Sequence, residues 1–189
     1  MISLTQEAVI LGLSPYGEAD LIVTALLSGH GVRRFFARQA RKSSRRFGSL
    51  LDHFAILTLI YREKPSGLWM LDEVGANPRS GLFSQNIRNN LDAFALLSLL
   101  AEVITAFSPD GGEEAGLFSV WLDVLRRLES GDVPTELARI VLTQCLSDFG
   151  YGPGLGEDLP ELVTLLNHSQ KILNKPLKSA PFFLAGAGS

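Results

Sequence analysis

The chain has 189 residues, 46 % hydrophobic and 20 % charged, with a formal net charge of -3. These figures fit a folded protein of one large or two small domains and exclude a generally disordered chain. A single cysteine, Cys145, excludes an internal disulfide framework and a cysteine-rich zinc site, and the richest apolar run, 93–107, is interrupted by Glu102, short of the ~20 apolar residues of a bilayer span.

The first ten residues lack the basic and apolar regions of a secretion signal, so a cytoplasmic protein is expected. Residues 7–13 are apolar and end at the Pro/Gly turn "SPYGEAD". A second strand is predicted over 21–28, closed by Gly29 and Gly31, and a third over 32–38. Residues 54–61, rich in β-branched and aromatic side chains, form the fourth, and 67–74, entered from "KPSG", the fifth. Five short strands in so few residues suit a small barrel, because closure removes sheet edges. The order matches an oligonucleotide-binding barrel (OB-fold); an SH3-like barrel has a similar pattern.

After residue 80 the period changes. Residues 86–107 are apolar nearly all round and predict one long buried helix. "SPDGGEE" ends it, and Leu117, Trp121, Val124, Leu125 and Leu128 mark one face of a second. A third follows within 131–150, with Asp132 and Pro134 as start signals and Gly150 as a stop. A glycine-rich loop spans 150–157, and a last helix is expected over about 159–173, with Asp158 as its N-cap and Leu162, Leu165, Leu166 and Ile172 as its stripe. The terminal "FFLAGAGS" is expected to fray. The expected fold is therefore α+β, an OB barrel over 1–80 followed by an all-α domain over 81–189.

Charge is divided unevenly. Residues 1–64 carry nine Lys/Arg against five Asp/Glu, and the remainder carries eight against fifteen. Arg33, Arg34, Arg38, Arg41, Lys42, Arg45 and Arg46 contain seven of the seventeen cations, with no acid among them. Arg33 and Arg34 alternate faces of the third strand, so at most one points inward, where an unpaired cation is costly. The other five belong to the following loop. Guanidinium forks match phosphate oxygens, and Ser43 and Ser44 add hydroxyl donors. Phe35, Phe36 and Phe47 are interleaved; at least two are expected in the core, while an exposed one would stack on a base. The pattern points to a backbone-directed, salt-sensitive nucleic-acid site. The plain alternative is a solvated charged loop.

These residues resemble the RecO family of bacterial recombination mediators. The likeness rests on "PYGEAD" (15–20), Gly31, "ARQARKS" (37–43) and "RFGSLLDHF" (46–54), and downstream on "FGYGP" (149–153) and "NKPLKS" (174–179). It implies an OB-fold with a helical domain, binding of single- and double-stranded DNA, strand annealing, and loading of RecA. Implied partners are RecR and the acidic C-terminal tail of the single-stranded-DNA-binding protein, and the implied location is the nucleoid. Many members carry a four-cysteine zinc site after the "GYG" segment. Here only Cys145 is present, so no metal and no cofactor are expected, and the region between Gly152 and "NKPLKS" is short.

Other chemistry is weaker. His30, His53 and His168 are scattered without metal-ligand spacing, and Cys145 lies on an apolar helix face. Glu18 and Asp20 flank a turn whose backbone donors they suit. Trp69 and Trp121 are expected in the core. No nucleophile–base set stands out, so no enzyme is expected. Lys171, Lys175 and Lys178 form a second basic patch, read either as an ordinary helix C-terminus or as a dock for DNA or the acidic tail. The competing functional reading is a protein-interaction adaptor whose barrel has lost DNA binding.

Overall fold

The computed structural model of the protein describes residues 2–65, 67–108, 115–151 and 161–186. Five strands come first: β1 (Leu4–Tyr16), β2 (Asp20–Leu27), β3 (Gly31–Ala37), β4 (Ile56–Arg62) and β5 (Trp69–Ala76). A 3-10 turn, Pro78–Leu82, leads to α1 (Gln85–Asn89) and α2 (Leu91–Phe107), then α3 (Ala115–Glu129), α4 (Pro134–Asp148), α5 (Leu162–Leu173) and α6 (Ala180–Gly186). Among the described residues, 2–83 with 115–119 form one compact unit, and 84–108 with 120–186 the other.

The strands close into a barrel in the order β1-β2-β3-β5-β4. β1 is long because it serves two neighbours: Leu4–Val9 pairs with β4, and Ala8–Tyr16 with β2. A register shift between Ile10 and Gly12 marks the bend that allows this. A parallel β3–β5 pair, Phe35 opposite Trp69 and Phe36 opposite Met70, completes the closure. That connectivity is the OB-fold and decides against the SH3-like alternative. The interior holds Ile10, Val23, Ala25, Phe35, Leu57 and Leu59, each at most 2 % exposed.

The strands sit where alternation and turn residues put them, but their ends move. β1 continues through "SPY" to Tyr16, because Pro15 opposes Leu21 and Tyr16 opposes Asp20, which leaves only Gly17–Ala19 as the turn.

In the second unit, Ala93, Leu96, Leu97, Leu100, Val103 and Ile104 are buried around α2, as its all-round apolarity required. The single helix expected over 86–107 is broken at Asn90, whose side-chain oxygen accepts from the Ala93 N–H at 3.0 Å and starts α2 afresh. Asp132 does not cap α4; it pairs with Arg127 at 2.6 Å, and Pro134 opens the helix after Val133. α5 begins at Leu162 after Glu161, whose side chain makes no cap bond. Asp158 and 159–160 lie outside the described residues, as do 152–157 of the glycine-rich loop. The expected fraying from Phe182 is overturned through Gly186: this stretch is helical, with Phe183 2 % exposed.

Candidate nucleic-acid interface

The cations of 33–46 divide by what surrounds them. On β3, Phe35 and Ala37 face the barrel interior, so Arg33 shares their face and Arg34 and Phe36 point outward. Arg33 is half-buried: its Nη1 donates to the Val32 carbonyl at 2.9 Å, and its guanidinium carbon lies 5.3 Å from the centroid of the Trp69 ring. Below it, Trp69 stacks on Tyr61 at 5.4 Å, and Phe35 meets both rings edge-on. Burial raises the Tyr61 phenol above its ordinary value and Glu63 adds to this, while the Arg33 cation pulls it back. Trp121 is fully buried, and Trp69 is partly buried against the barrel core.

The connection after β3 is an ordered cap with two apolar anchors. Ala40 and Phe47 insert into the barrel core, Phe47 to 1 % exposure. Between them the chain turns on itself, with Ser43 N–H donating to the Gln39 carbonyl and Phe47 N–H to the Ser43 carbonyl. Gly48, at φ +53, ends this turn where an added Cβ would come 3.2 Å from the Ser44 carbonyl oxygen. Three bonds tie the connection to the β1–β2 turn. Gln39 N–H donates to Asp20 Oδ1 at 2.7 Å, Arg41 N–H to the Ala19 carbonyl at 3.0 Å, and Arg41 Nη1 to the Glu18 carbonyl at 3.4 Å. Arg46 is spent on the cap: Nη2 donates to the Arg38 carbonyl at 2.6 Å, and its guanidinium lies over Phe47 at 5.0 Å.

Arg34, Arg38, Arg41, Lys42 and Arg45 therefore remain exposed, and among the described residues none of the five is ion-paired. An apolar frame that fixes the backbone while leaving cation tips in water suits a polyanion, whose phosphates take the place of counterions. Phe35 and Phe47 are core, whereas Phe36 stays half-exposed and meets Tyr16 edge-on at 5.7 Å. Tyr16 is 59 % exposed; in the sequence it falls within the Pro/Gly turn segment and the "PYGEAD" motif, with nothing to mark it as a contact residue.

The second patch is built differently. Lys171 lies in the last turn of α5, and Asn174, at φ +50, ends that helix. Glu102, in the sequence merely an interruption of α2, holds the start of α6. Its carboxylate accepts from the Lys178 N–H at 2.8 Å, the Ser179 N–H at 2.9 Å and the Ser179 hydroxyl at 2.5 Å. Burial pushes its pKa up, but these bonds and the Lys175 charge outweigh that and hold it below the ordinary glutamate range. Next to this anchor is a largely apolar groove of about 560 Å³, lined by Leu91, Asp92, Phe94, Ala95, Ser98, Ser179 and Phe182. Lys175 and Lys178 are exposed.

Residues 1–76 match the family model described as "Recombination protein O N terminal", and residues 88–158 match "Recombination protein O C terminal". A DNA repair protein RecO of Geobacter sulfurreducens is 36 % identical over 147 residues, 77 % of this chain and 58 % of the relative. Its counterpart from Desulfatibacillum aliphaticivorans is 33 % identical over 160 residues, 83 % of this chain and 60 % of the relative. The chain thus spans about three-fifths of the length of the curated relatives it matches. No helix among the described residues is long and apolar enough to cross a membrane.

Proposed function

The chain belongs to the RecO family of DNA repair proteins, and from that premise we propose that it binds single- and double-stranded DNA through the barrel and promotes strand annealing. The observation that carries this reading is the set of five exposed cations on β3 and its connection that make no ion pair among the described residues: Arg34, Arg38, Arg41, Lys42 and Arg45. Two strands repel one another through their phosphates. A flexible row of cations on a rigid cap neutralises both while the bases find their partners. Arg33 and Arg46 support the frame, through Trp69 and Phe47 respectively.

The family further supports loading of RecA with RecR and with the acidic C-terminal tail of the single-stranded-DNA-binding protein. For that tail the dock proposed is the groove beside α2 and α6: Lys175 and Lys178 supply the positive charge and Leu91, Phe94 and Phe182 the apolar floor. Tail peptide and DNA then use separate parts of the chain.

The test is a strand-annealing assay on the full chain at several salt concentrations, with and without tail peptide. Annealing should fall steeply with salt, with log affinity for a single strand dropping by about 0.7 per neutralised phosphate for each log unit of salt. Failure to bind or anneal at low salt, or binding indifferent to salt, rejects the proposal. Lys175→Glu with Lys178→Glu should weaken tail-peptide binding and leave annealing by the free protein intact; unchanged peptide affinity removes the dock.

A further inference from the structure

The charged cap does not account for the aromatic pair beside it. Tyr16 ends β1 and Phe36 lies near the end of β3, both on the outer face of the barrel. The placement follows from register. Leu13 and Pro15 oppose Val23 and Leu21, so Ser14 and Tyr16 are turned outward; on β3, inward Phe35 and Ala37 leave Arg34 and Phe36 outside. Phe36 sits in a cross-sheet row with Ser14, Ile22 and Met70. The two rings meet at an interplanar angle of 88°, so one ring touches its partner only by an edge and at least one ring face of each is left clear by the other. Cations border the pair. Arg34 shares the outer face of β3 two residues from Phe36, and the turn that follows Tyr16 is where Arg41 and Gln39 fasten the basic connection.

We infer that Tyr16 and Phe36 form a stacking platform for unpaired bases of single-stranded DNA. The inference rests on the DNA-binding reading above and gives it a strand preference. Cations alone bind any phosphate backbone, single or double. A ring that stacks needs a base with a free face, which a duplex does not offer along its length. Base stacking tolerates every sequence, so the platform favours single strands without reading them. On this outer face a strand lays its phosphates toward Arg34 and the connection and its bases toward Phe36 and Tyr16.

The test compares three ligands by fluorescence anisotropy with the full chain: an oligothymidine strand, a strand of equal length with abasic sites replacing its bases, and a duplex. The wild-type chain should bind the oligothymidine strand about tenfold more tightly than the abasic one, within the roughly 5- to 150-fold that one stacked base supplies. Tyr16→Ala, at an exposed position, should remove most of that difference, while duplex affinity and the salt slope stay within about twofold of wild type. Phe36→Leu keeps the apolar contact to Ile22 and Met70 without a ring and should behave alike, whereas Tyr16→Trp should retain the preference. Equal wild-type affinity for the oligothymidine and abasic strands overturns the platform while leaving backbone binding intact. So does a Tyr16→Ala chain that still discriminates fully. Wild-type binding to none of the three at low salt rejects the DNA-binding reading itself, and the platform with it.

Discussion

Two basic stretches of this chain, 33–46 and 171–178, look alike as sequence and are built differently. The first is pinned chiefly by its own apolar residues, Ala40 and Phe47, with Asp20 taking the Gln39 N–H, and five of its seven cations are left exposed. The second is pinned by an acid: Glu102 takes the backbone N–H groups of Lys178 and Ser179, and its charge also interacts with Lys175. A count of lysines and arginines does not measure readiness for a polyanion. What measures it is how many of the segment's cations the scaffold leaves exposed and away from the carboxylates that help to order it. Hydrocarbon leaves the field positive, while a carboxylate cancels part of it.

The strongest way to break this contrast is charge reversal. Glutamate at Arg34, Arg38, Arg41, Lys42 and Arg45 together should cost on the order of 10³-fold in single-strand affinity at low salt and flatten the salt slope, since up to five phosphate contacts vanish. The same reversal at Lys171, Lys175 and Lys178 should leave DNA affinity within about twofold. Anisotropy titrations at two or more salt concentrations measure both. If the two sets fall equally, the difference in scaffolding has no functional consequence.

Phe47→Ala attacks the hydrocarbon scaffold. Removing a ring that is 1 % exposed should destabilise the protein by about 3 kcal/mol, seen as a lower midpoint in chemical denaturation. It should also loosen the cap under Arg46, so annealing at low salt should suffer more than Lys171→Ala makes it suffer.

Glu102→Gln attacks the carboxylate scaffold and should cost about 1 kcal/mol, the scale of a lost charge-assisted bond or cap. The direction with pH is fixed by the lowered folded-state pKa. The carboxylate's contribution is present above the ordinary glutamate value of 4.5 and is lost as pH falls through the lower folded value. Thermal unfolding followed by circular dichroism should therefore show a steeper acid loss of stability in the wild type than in Glu102→Gln.

The sequence was most informative where neighbours in the chain are neighbours in the fold. Alternation and turn residues located all five strands, and the expectation that at most one of Arg33 and Arg34 points inward matches their placement. Which one points inward depends on register against β2, with Arg33 opposite Ala25, and on the β3–β5 pairing that brings Trp69 near it. Neither pairing is visible in a window of ten residues. Asn90 was hidden for another reason: an all-round apolar stretch has no stripe whose phase would shift at a break. Glu102 was the least legible, because its partners lie 76 and 77 residues away and an acid inside an apolar run says only that something non-local must satisfy it. Tyr16 is masked in the sequence because an aromatic in a Pro/Gly segment reads as turn decoration, whereas its pairing with Asp20 carries β1 through it.

The smallest expected effect separates the two faces of β3. Arg33→Met preserves the length and hydrocarbon contact of a side chain whose guanidinium lies 5.3 Å from the Trp69 ring centroid, so the barrel should fold. If Arg33 serves the frame, DNA affinity should change by less than about twofold, whereas Arg34→Met, on the outer face, should cost several-fold. A second readout shows that the substitution has reached its target. Burial and Glu63 raise the Tyr61 phenol, and Arg33 is the charge opposing them, so losing that cation should move the phenol still higher in a spectrophotometric pH titration. A raised phenol with unchanged DNA affinity places Arg33 with the frame. A raised phenol with a several-fold loss of affinity moves Arg33 to the phosphate-binding set and extends the binding surface around the mouth of the barrel.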